Sequence, residues 1–154
     1  MRYAIVDTPF GPVTLASSEK GLCSLEFGKK VPANAAIDNL SNRPYVKQLS
    51  EYFAGKRTTF DFLLDIHGTA FQMSVWDALQ QIPYGQTRSY GEIAQSIGKP
   101  GAARAVGMAN HDNPVAIVIP CHRVVGHNGS LTGYAGGLDI KKQLLSIERR
   151  TLFT

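Results

Sequence analysis

The sequence predicts an α+β protein in which a small N-terminal α/β domain with an antiparallel sheet precedes a helical, winged-helix-like domain. Three observations lead to this fold class. Apolar and polar residues alternate over residues 3–27, as in half-buried strands. Apolar residues recur with helical spacing over residues 71–82. A short break then separates two further helical patterns, as in helix-turn-helix proteins. The pattern changes near His67 and Gly68, so we place the domains at residues 1–67 and 68–154.

The N-terminal domain is predicted as a meander of three strands followed by one helix. The predicted strands are residues 3–7, 13–16 and 22–27. Turn-forming residues such as Gly11 and Gly21 separate these strands. Residues 29–42 are small and polar and are predicted as a loop, and residues 58–66 as an extended segment. The helix is predicted from the spacing of Tyr45, Leu49, Tyr52 and Phe53, and it ends at Gly55.

The C-terminal domain begins with a helix that Thr69 can cap. Its predicted inward residues are Phe71, Val75, Trp76, Leu79 and Ile82. Ser89 begins a shorter helix, residues 98–101 break it, and residues 102–109 form the second helix of the pair. In the shorter helix the predicted inward residues are Tyr90, Ile93, Ala94 and Ile97.

The last part of the chain is predicted as a strand, a glycine-rich stretch and a closing helix. The apolar run 116–119 is predicted as a strand that ends at Pro120, because proline cannot donate to a strand ladder. The glycine-rich stretch covers residues 126–137. The closing helix is predicted over residues 138–148, with Ile140, Leu144, Leu145 and Ile147 facing inward.

Composition excludes several classes of protein. The chain has 154 residues, a formal charge of +4 and two cysteines, Cys23 and Cys121, without a CxxC pair. Two distant thiols favour neither a disulfide framework nor a zinc finger, and we interpret Cys23 as structural. No stretch approaches the ~20 apolar residues that span a bilayer, and no signal peptide is evident. We therefore expect a cytoplasmic protein, or a nuclear one in a eukaryote.

Cys121 follows the predicted strand directly, in the order Pro120-Cys121-His122-Arg123. A thiol becomes a strong nucleophile when its neighbours favour the thiolate, and His122 and Arg123 are placed to supply such a field. The alternative is a buried structural cysteine, which is common in apolar surroundings. The local pattern leaves both interpretations open.

The second helix of the helix-turn-helix pattern is almost entirely alanine and glycine, with Arg104 as its one long side chain. Helices that read the major groove carry several polar side chains. A smooth helix suits the minor groove instead, and a lone arginine could fill the gap left by an extruded base. The alternative is an alanine-rich core helix with a surface arginine.

Four motifs together resemble the O6-alkylguanine-DNA alkyltransferases. They are Arg104-Ala105-Val106-Gly107, Asn113-Pro114, Ile119-Pro120-Cys121-His122-Arg123-Val124-Val125 and Gly133-Tyr134-Ala135-Gly136-Gly137. The resemblance covers residues 69–148 well and the N-terminal third only by general pattern. It implies a ribonuclease H-like fold for the first domain. It also implies single-turnover transfer of an alkyl group from O6-alkylguanine in double-stranded DNA, with O4-alkylthymine as a second candidate substrate.

The resemblance also implies a role for each site residue. Cys121 corresponds to the alkyl acceptor, His122 to the base that takes its proton through a water, and Glu148 to the carboxylate that orients the histidine. Tyr90 corresponds to the proton donor for the departing guanine. Arg104, with Ala103, Ala105 and Gly107 around it, corresponds to the finger that fills the base stack. Asn113 corresponds to a hinge. The pocket for the flipped base corresponds to Val124, Tyr134, Ala135 and Gly136.

The chain departs from the family pattern at two positions. Ala135 stands where many relatives have a small hydroxyl residue, and His127 could narrow the pocket. Cys23 and His67 are too few to hold the zinc that some relatives bind in their N-terminal part, so we expect no metal and no cofactor. We also expect a monomer. Non-catalytic relatives carry tryptophan in place of the cysteine, whereas this chain keeps Cys121.

Three other functions remain open at the level of the residues. A non-catalytic lesion sensor or winged-helix DNA-binding protein explains the helix pair but not the Pro-Cys-His-Arg motif. A Cys-His hydrolase explains the thiol but not the smooth helix with Arg104. A metal site formed by Cys121, His122 and His127 has unsuitable spacing for a closed site.

Overall fold

The computed structural model describes residues 1–131, 134 and 137–152 and confirms the α+β fold class. The chain divides into two compact units. The first consists of Met1–Ile66 and Pro114–Ala116, and the second of His67–Asn113 and Ile117–Thr154. The short segment around Val115 joins the first unit through a bridge to Leu25, which the sequence does not indicate.

The first unit is a three-stranded antiparallel sheet with one helix. Its elements are β1 (Arg2–Thr8), β2 (Gly11–Ser17), β3 (Leu22–Phe27) and α1 (Arg43–Phe53). The strands pair in the order β1-β2-β3, as the meander predicts. Alternation in β1 buries Ala4 and Val6, and α1 buries Leu49 and Tyr52. The interior therefore follows from strand and helix periodicity.

Residues 58–66 form no strand of their own; one isolated bridge joins Leu64 to Leu22. The backbone of this segment lies so close to Gly21 that a Cβ there would come within 2.4 Å of the Leu63 carbonyl oxygen. Gly21 is thus required for the close approach of this extended segment to the sheet.

The second unit is helical. Its elements are α2 (Ala70–Gln80), β4 (Arg88–Ser89), α3 (Tyr90–Ser96), α4 (Ala103–His111), a 3-10 helix (Cys121–Arg123), β5 (Val124–Val125) and α5 (Leu138–Leu152). Thr69 and Ser89 begin their helices with capping boxes, which satisfy two backbone N–H groups each. Gly98, with φ +78°, follows α3 and permits the break before α4.

The predicted strand over residues 116–119 is wrong. These residues form a turn, and Ile117 has φ +73°, a left-handed backbone that a β-branched residue rarely adopts. Ile117 and Ile119 are nevertheless almost completely buried. The apolar run therefore reflects burial rather than strand structure, which periodicity alone cannot distinguish in so short a run.

Helix α5 presents a buried stripe at positions 141, 144, 145 and 148, which follow helical spacing. Leu144 and Leu145 were predicted to face inward and do so. The other two members of the stripe, Lys141 and Glu148, are charged and fully buried, whereas Ile140 and Ile147 are only partly buried. The helix is thus rotated slightly from the prediction, so that it carries two charges into the interior of the second unit.

Candidate active site

Cys121 begins the 3-10 helix rather than ending a strand. Cys121 is buried, with 4% of the residue exposed. The Cys121 N–H donates to the Ile119 carbonyl at 2.7 Å, and the Arg123 N–H donates to the Pro120 carbonyl at 2.9 Å. Two tight turns therefore fix the main chain on both sides of Pro120, and they hold the thiol in place.

The surroundings of the Cys121 sulfur combine burial with groups that favour a thiolate. Burial raises the pKa of the thiol, and the side chains of Asn113, Lys141 and Tyr134 act in the opposite direction without cancelling it. Burial and the nearby sulfur raise the pKa of the Tyr134 hydroxyl as well. The resting site therefore contains a neutral thiol and a neutral phenol, and ionising the thiol requires a base.

His122 and Glu148 form a buried pair of an imidazole and a carboxylate. His122 Nε2 lies 2.7 Å from Glu148 Oε2, and both side chains are fully buried. Burial lowers the pKa of the His122 imidazole despite the adjacent carboxylate, so the ring is neutral at pH 7. With the proton on Nε2, Nδ1 is left as an acceptor, and it is buried without a hydrogen-bond partner among the described residues.

Arg123 does not face the thiol. Its Nε and Nη2 donate to Glu148 Oε1 and Oε2, each at 2.9 Å, and its Nη1 donates to the Ile82 carbonyl. The Gly85 N–H adds a donor to Oε1 at 3.1 Å. Burial raises the pKa of the Glu148 carboxyl, but the hydrogen bonds and charges of His122 and Arg123 outweigh burial and leave it well below its ordinary value. The expectation that Arg123 activates the thiol is therefore wrong, because its guanidinium instead keeps the Glu148 carboxylate ionised.

Lys141 is the charged residue that approaches the thiol, and sequence reasoning missed it. Its ammonium donates to the Val124 carbonyl and lies 6.0 Å from the centre of the Tyr90 ring. Burial lowers the Lys141 pKa to about 8, and the sulfur of Cys121 acts against this shift. Its position three residues before Leu144 on the α5 stripe was the available signal, but lysine side chains are so seldom fully buried that this spacing alone does not indicate burial.

Helix α4 contains the predicted DNA-binding residues. Arg104 and Ala105 are exposed on α4, and Ala103 is partly exposed. Gly107 faces the ring of Tyr90, where a Cβ would lie 3.8 Å from the nearest ring carbon. The exposed side of α4 is therefore smooth apart from Arg104, the exposed Met108 and the terminal residues His111 and Asp112.

The predicted pocket residues are described only in part. Asn113 Nδ2 donates to the Ile119 carbonyl at 2.8 Å, and Val124 and Tyr134 are buried. Ala135 and Gly136 lie outside the described residues. His127 is exposed. Strand β5, which contains Val124, pairs in parallel with β4, so Arg88 and Ser89 lie beside the segment that follows the thiol, and Tyr90 comes directly after them.

Neither a metal site nor a membrane span is found in the described part of the chain. No group of three or more histidine, cysteine, aspartate or glutamate side chains there could hold a metal ion. Every helix described falls short of the length and apolar character needed to cross a bilayer.

Comparison with known families shows to which family this chain belongs. Residues 70–150 match the family described as "6-O-methylguanine DNA methyltransferase, DNA binding domain". Residues 1–66 match "6-O-methylguanine DNA methyltransferase, ribonuclease-like domain". The chain belongs to the 6-O-methylguanine DNA methyltransferase family. The resemblance inferred from the four motifs is confirmed, and so is the ribonuclease-like character of the N-terminal part.

Relatives in the methyltransferase family match nearly the whole chain. A methylated-DNA–protein-cysteine methyltransferase of Methanosarcina barkeri is 55% identical over 99% of both chains. One of Mycolicibacterium paratuberculosis is 53% identical over 97% of this chain and 93% of its own. The crystal structure of Mycobacterium tuberculosis OGT in complex with DNA has a TM-score of 0.92 at 49% identity and covers all of both chains.

Proposed function

We propose that this protein repairs DNA by direct reversal of damage: it extrudes O6-alkylguanine from the duplex and transfers the alkyl group irreversibly to Cys121. The observation that carries the proposal is the buried thiol of Cys121 next to a neutral histidine, which an ionised carboxylate holds by Nε2. Membership of the methyltransferase family and the names of the relatives support the same reaction.

The transfer begins with ionisation of the thiol. His122 Nδ1 takes the Cys121 proton through a water, and the ring becomes an imidazolium whose Nε2–H stays on Glu148. Because Arg123 and Gly85 keep Glu148 anionic, the carboxylate stabilises this cation without taking its proton. Lys141 places a second positive charge near the new thiolate.

The thiolate then attacks the alkyl carbon. The S–C bond forms while the C–O6 bond breaks, and the electron pair of the broken bond passes to the guanine. We propose that Tyr90 donates the proton that neutralises the departing base, and that the phenolate formed in this step regains a proton from water. The product is a thioether on Cys121 and an unmodified guanine. A thioether has no ready route back to a thiol, so each molecule acts once.

Recognition of duplex DNA is assigned to α4. The smooth exposed side of this helix, with Ala103, Ala105 and Gly107, allows close approach to the minor groove. Arg104 fills the gap left by the extruded base. The extruded base occupies a pocket of Val124, Tyr134, Ala135 and Gly136, and Asn113 acts as the hinge between α4 and the segment that carries the thiol.

Four further expectations belong to the same proposal. The protein acts as a monomer, requires no cofactor and works in the cytoplasm, or in the nucleus of a eukaryote. Its domains divide between residues 67 and 68, with DNA recognition and chemistry both in the second. The non-catalytic sensor is not favoured, because the chain keeps Cys121 and has a neutral histidine, His122, directly after it.

Mass spectrometry after incubation with a duplex that contains one O6-methylguanine tests this function. The peptide that contains Cys121 should gain one methyl group, with one group removed per molecule. Cys121→Ala should abolish transfer and retain DNA binding, because binding depends on α3 and α4. Cys23→Ala is the matched control and should transfer normally. Repeated turnover would indicate a hydrolase, and an unmodified Cys121 with intact lesion binding would indicate a sensor.

A further inference from the structure

Asn110 is a buried polar residue of α4 to which the reaction described above assigns no role. It lies one residue before the end of the helix, and its side chain is directed inward, with 3% of the residue exposed. Its Nδ2 donates to the main-chain carbonyl of Cys121 at 3.4 Å. The helix assigned to DNA recognition therefore contacts the main chain of the nucleophile itself.

The second polar atom of Asn110 makes its burial unfavourable. Oδ1 is buried and has no hydrogen-bond partner among the described residues. A buried acceptor without a partner disfavours folding, whereas an apolar side chain at the same place avoids this penalty. Packing alone thus does not account for an amide here, and the hydrogen bond to Cys121 is the contact that does.

Two amide side chains at the end of α4 hold the carbonyls on either side of Pro120. Asn113 Nδ2 donates to the Ile119 carbonyl and Asn110 Nδ2 to the Cys121 carbonyl. The helix end is itself fixed, because the Trp76 indole N–H donates to the Ala109 carbonyl at 2.9 Å. The main chain that carries the sulfur is therefore held against a rigid support.

Arg104 and Asn110 lie on different sides of the same helix. Six residues correspond to about 600° of rotation and roughly 9 Å of rise in an α-helix. Arg104 is exposed and Asn110 is buried, in agreement with this geometry. A helix positioned on DNA by its outer side consequently positions the Cys121 carbonyl by its inner side.

We propose that Asn110 is a positioning residue for alkyl transfer. It fixes the Cys121 main chain to α4, so that binding of α4 to DNA also places the sulfur toward the extruded base. This proposal rests on the proposed function. Asn110 affects the geometry of the attack, whereas other residues determine the affinity for DNA and the intrinsic reactivity of the thiol.

Asn110→Leu and Asn110→Ala test this role, because they change the side-chain volume in opposite directions and both remove the donor. Each variant is compared with the unmodified protein in the single-turnover transfer rate on a saturating duplex with one O6-methylguanine. Three further quantities are measured on the same preparations: the affinity for an undamaged duplex, the thermal unfolding midpoint and the rate of Cys121 alkylation by iodoacetamide. Asn34→Ala, at an exposed position, is the matched control.

The expected result is a transfer rate lower by about tenfold or more in both variants, since small misplacements of reacting groups slow a reaction strongly. DNA affinity, unfolding midpoint and iodoacetamide reactivity should stay close to those of the unmodified protein. A loss in only one variant would indicate a volume effect. A loss that parallels weaker DNA binding or lower stability would indicate a structural residue. Either outcome, or an unchanged rate, overturns the proposal.

The failure of this inference is distinguishable from failure of the proposed function. If the unmodified protein does not methylate Cys121, the function itself is wrong. If it methylates Cys121 with one group per molecule and the Asn110 variants transfer equally fast, only the role of Asn110 is refuted.

Discussion

The guanidinium of Arg123 holds both carboxylate oxygens of Glu148, with Nε 2.9 Å from Oε1 and Nη2 2.9 Å from Oε2. The centre of the guanidinium also lies 5.6 Å from the centre of the Tyr84 ring. Glu148 Oε2 also lies 2.7 Å from Nε2 of His122, and the ion pair keeps the carboxylate charged inside the protein. Because an ionised carboxylate only accepts hydrogen bonds, it favours the tautomer of His122 that carries the proton on Nε2.

Loss of the Glu148 charge should destabilise the fold as well as the reaction. Glu148→Gln leaves the Arg123 guanidinium buried without its counter-ion, and breaking a buried pair in this way costs about 3–5 kcal/mol. We expect that loss in denaturant unfolding at pH 7. Asp139→Asn, at an exposed position of the same helix, should have little effect. Equal stability of Glu148→Gln and the unmodified protein would refute the assignment of a buried ion pair.

The same carboxylate predicts a direction for the pH dependence of stability. The pKa of Glu148 in the folded state is below its ordinary value of 4.5, so the folded state binds fewer protons than the unfolded state near that pH. The stabilisation is present above about pH 4.5 and is lost as the pH falls further. Unfolding at several pH values should show this loss in the unmodified protein and a smaller slope in Glu148→Gln.

His122→Ala should slow transfer by ~10²–10⁴-fold, the usual contribution of a general base. DNA binding should be unaffected, because His122 is buried behind the thiol rather than exposed on α4. Single-turnover rates on methylated duplex measure the first effect and anisotropy titration the second. His127→Ala, at an exposed position, serves as the control. An unaltered rate in folded His122→Ala removes the histidine from the mechanism.

Lys141→Met should make the thiol harder to ionise. Lys141 lowers the pKa of Cys121, so its removal should shift the pH midpoint of Cys121 alkylation by iodoacetamide to higher pH. Lys142→Met removes the neighbouring charge, which is exposed, and should leave the midpoint in place. The same shift in both variants would mean that the net charge of the protein, rather than the position of Lys141, sets the midpoint.

Stability at alkaline pH gives a separate test of Lys141. Its pKa is about 8 in the folded state against an ordinary 10.5, so between these values the unfolded state holds the proton and the folded state does not. This group therefore makes the protein more stable as the pH rises through that window. Lys141→Met should lack this gain when unfolding is measured at several pH values across the window.

Arg104→Ala should impair repair of duplex DNA more than reaction with free O6-alkylguanine base. Extrusion from a duplex requires unstacking that costs a few kcal/mol, and the free base requires none. Arg149→Ala removes an exposed arginine of α5 and controls for the loss of charge. Both rates are measured on one preparation. If Arg104→Ala lowers them by the same factor, Arg104 supports the pocket or the fold and is not a finger.

The three strands of the first unit and the α-helices of both units follow from short-range pattern, whereas β4, β5 and the 3-10 helix do not. Turn residues delimit β1, β2 and β3, and the caps Thr69 and Ser89 begin their helices at the predicted positions. These features depend on residues near each other in the chain, so periodicity and capping suffice to predict them. The four motifs likewise identified the family, whereas the roles that the resemblance implies for the site residues stay predictions.

The tertiary structure decided what the local patterns could not. Residues 116–119 were predicted as a strand, but they form a turn with a left-handed backbone at Ile117, directly after the bridge that joins Val115 to the distant Leu25. Arg123 read as a partner of Cys121, but Glu148, 25 positions later, attracts it. The sequence assigned no role to Lys141, yet its burial against the Val124 carbonyl brings its charge to the thiol. Charge placement in a buried site depends on which distant groups desolvate and pair with each other, and no local pattern encodes that.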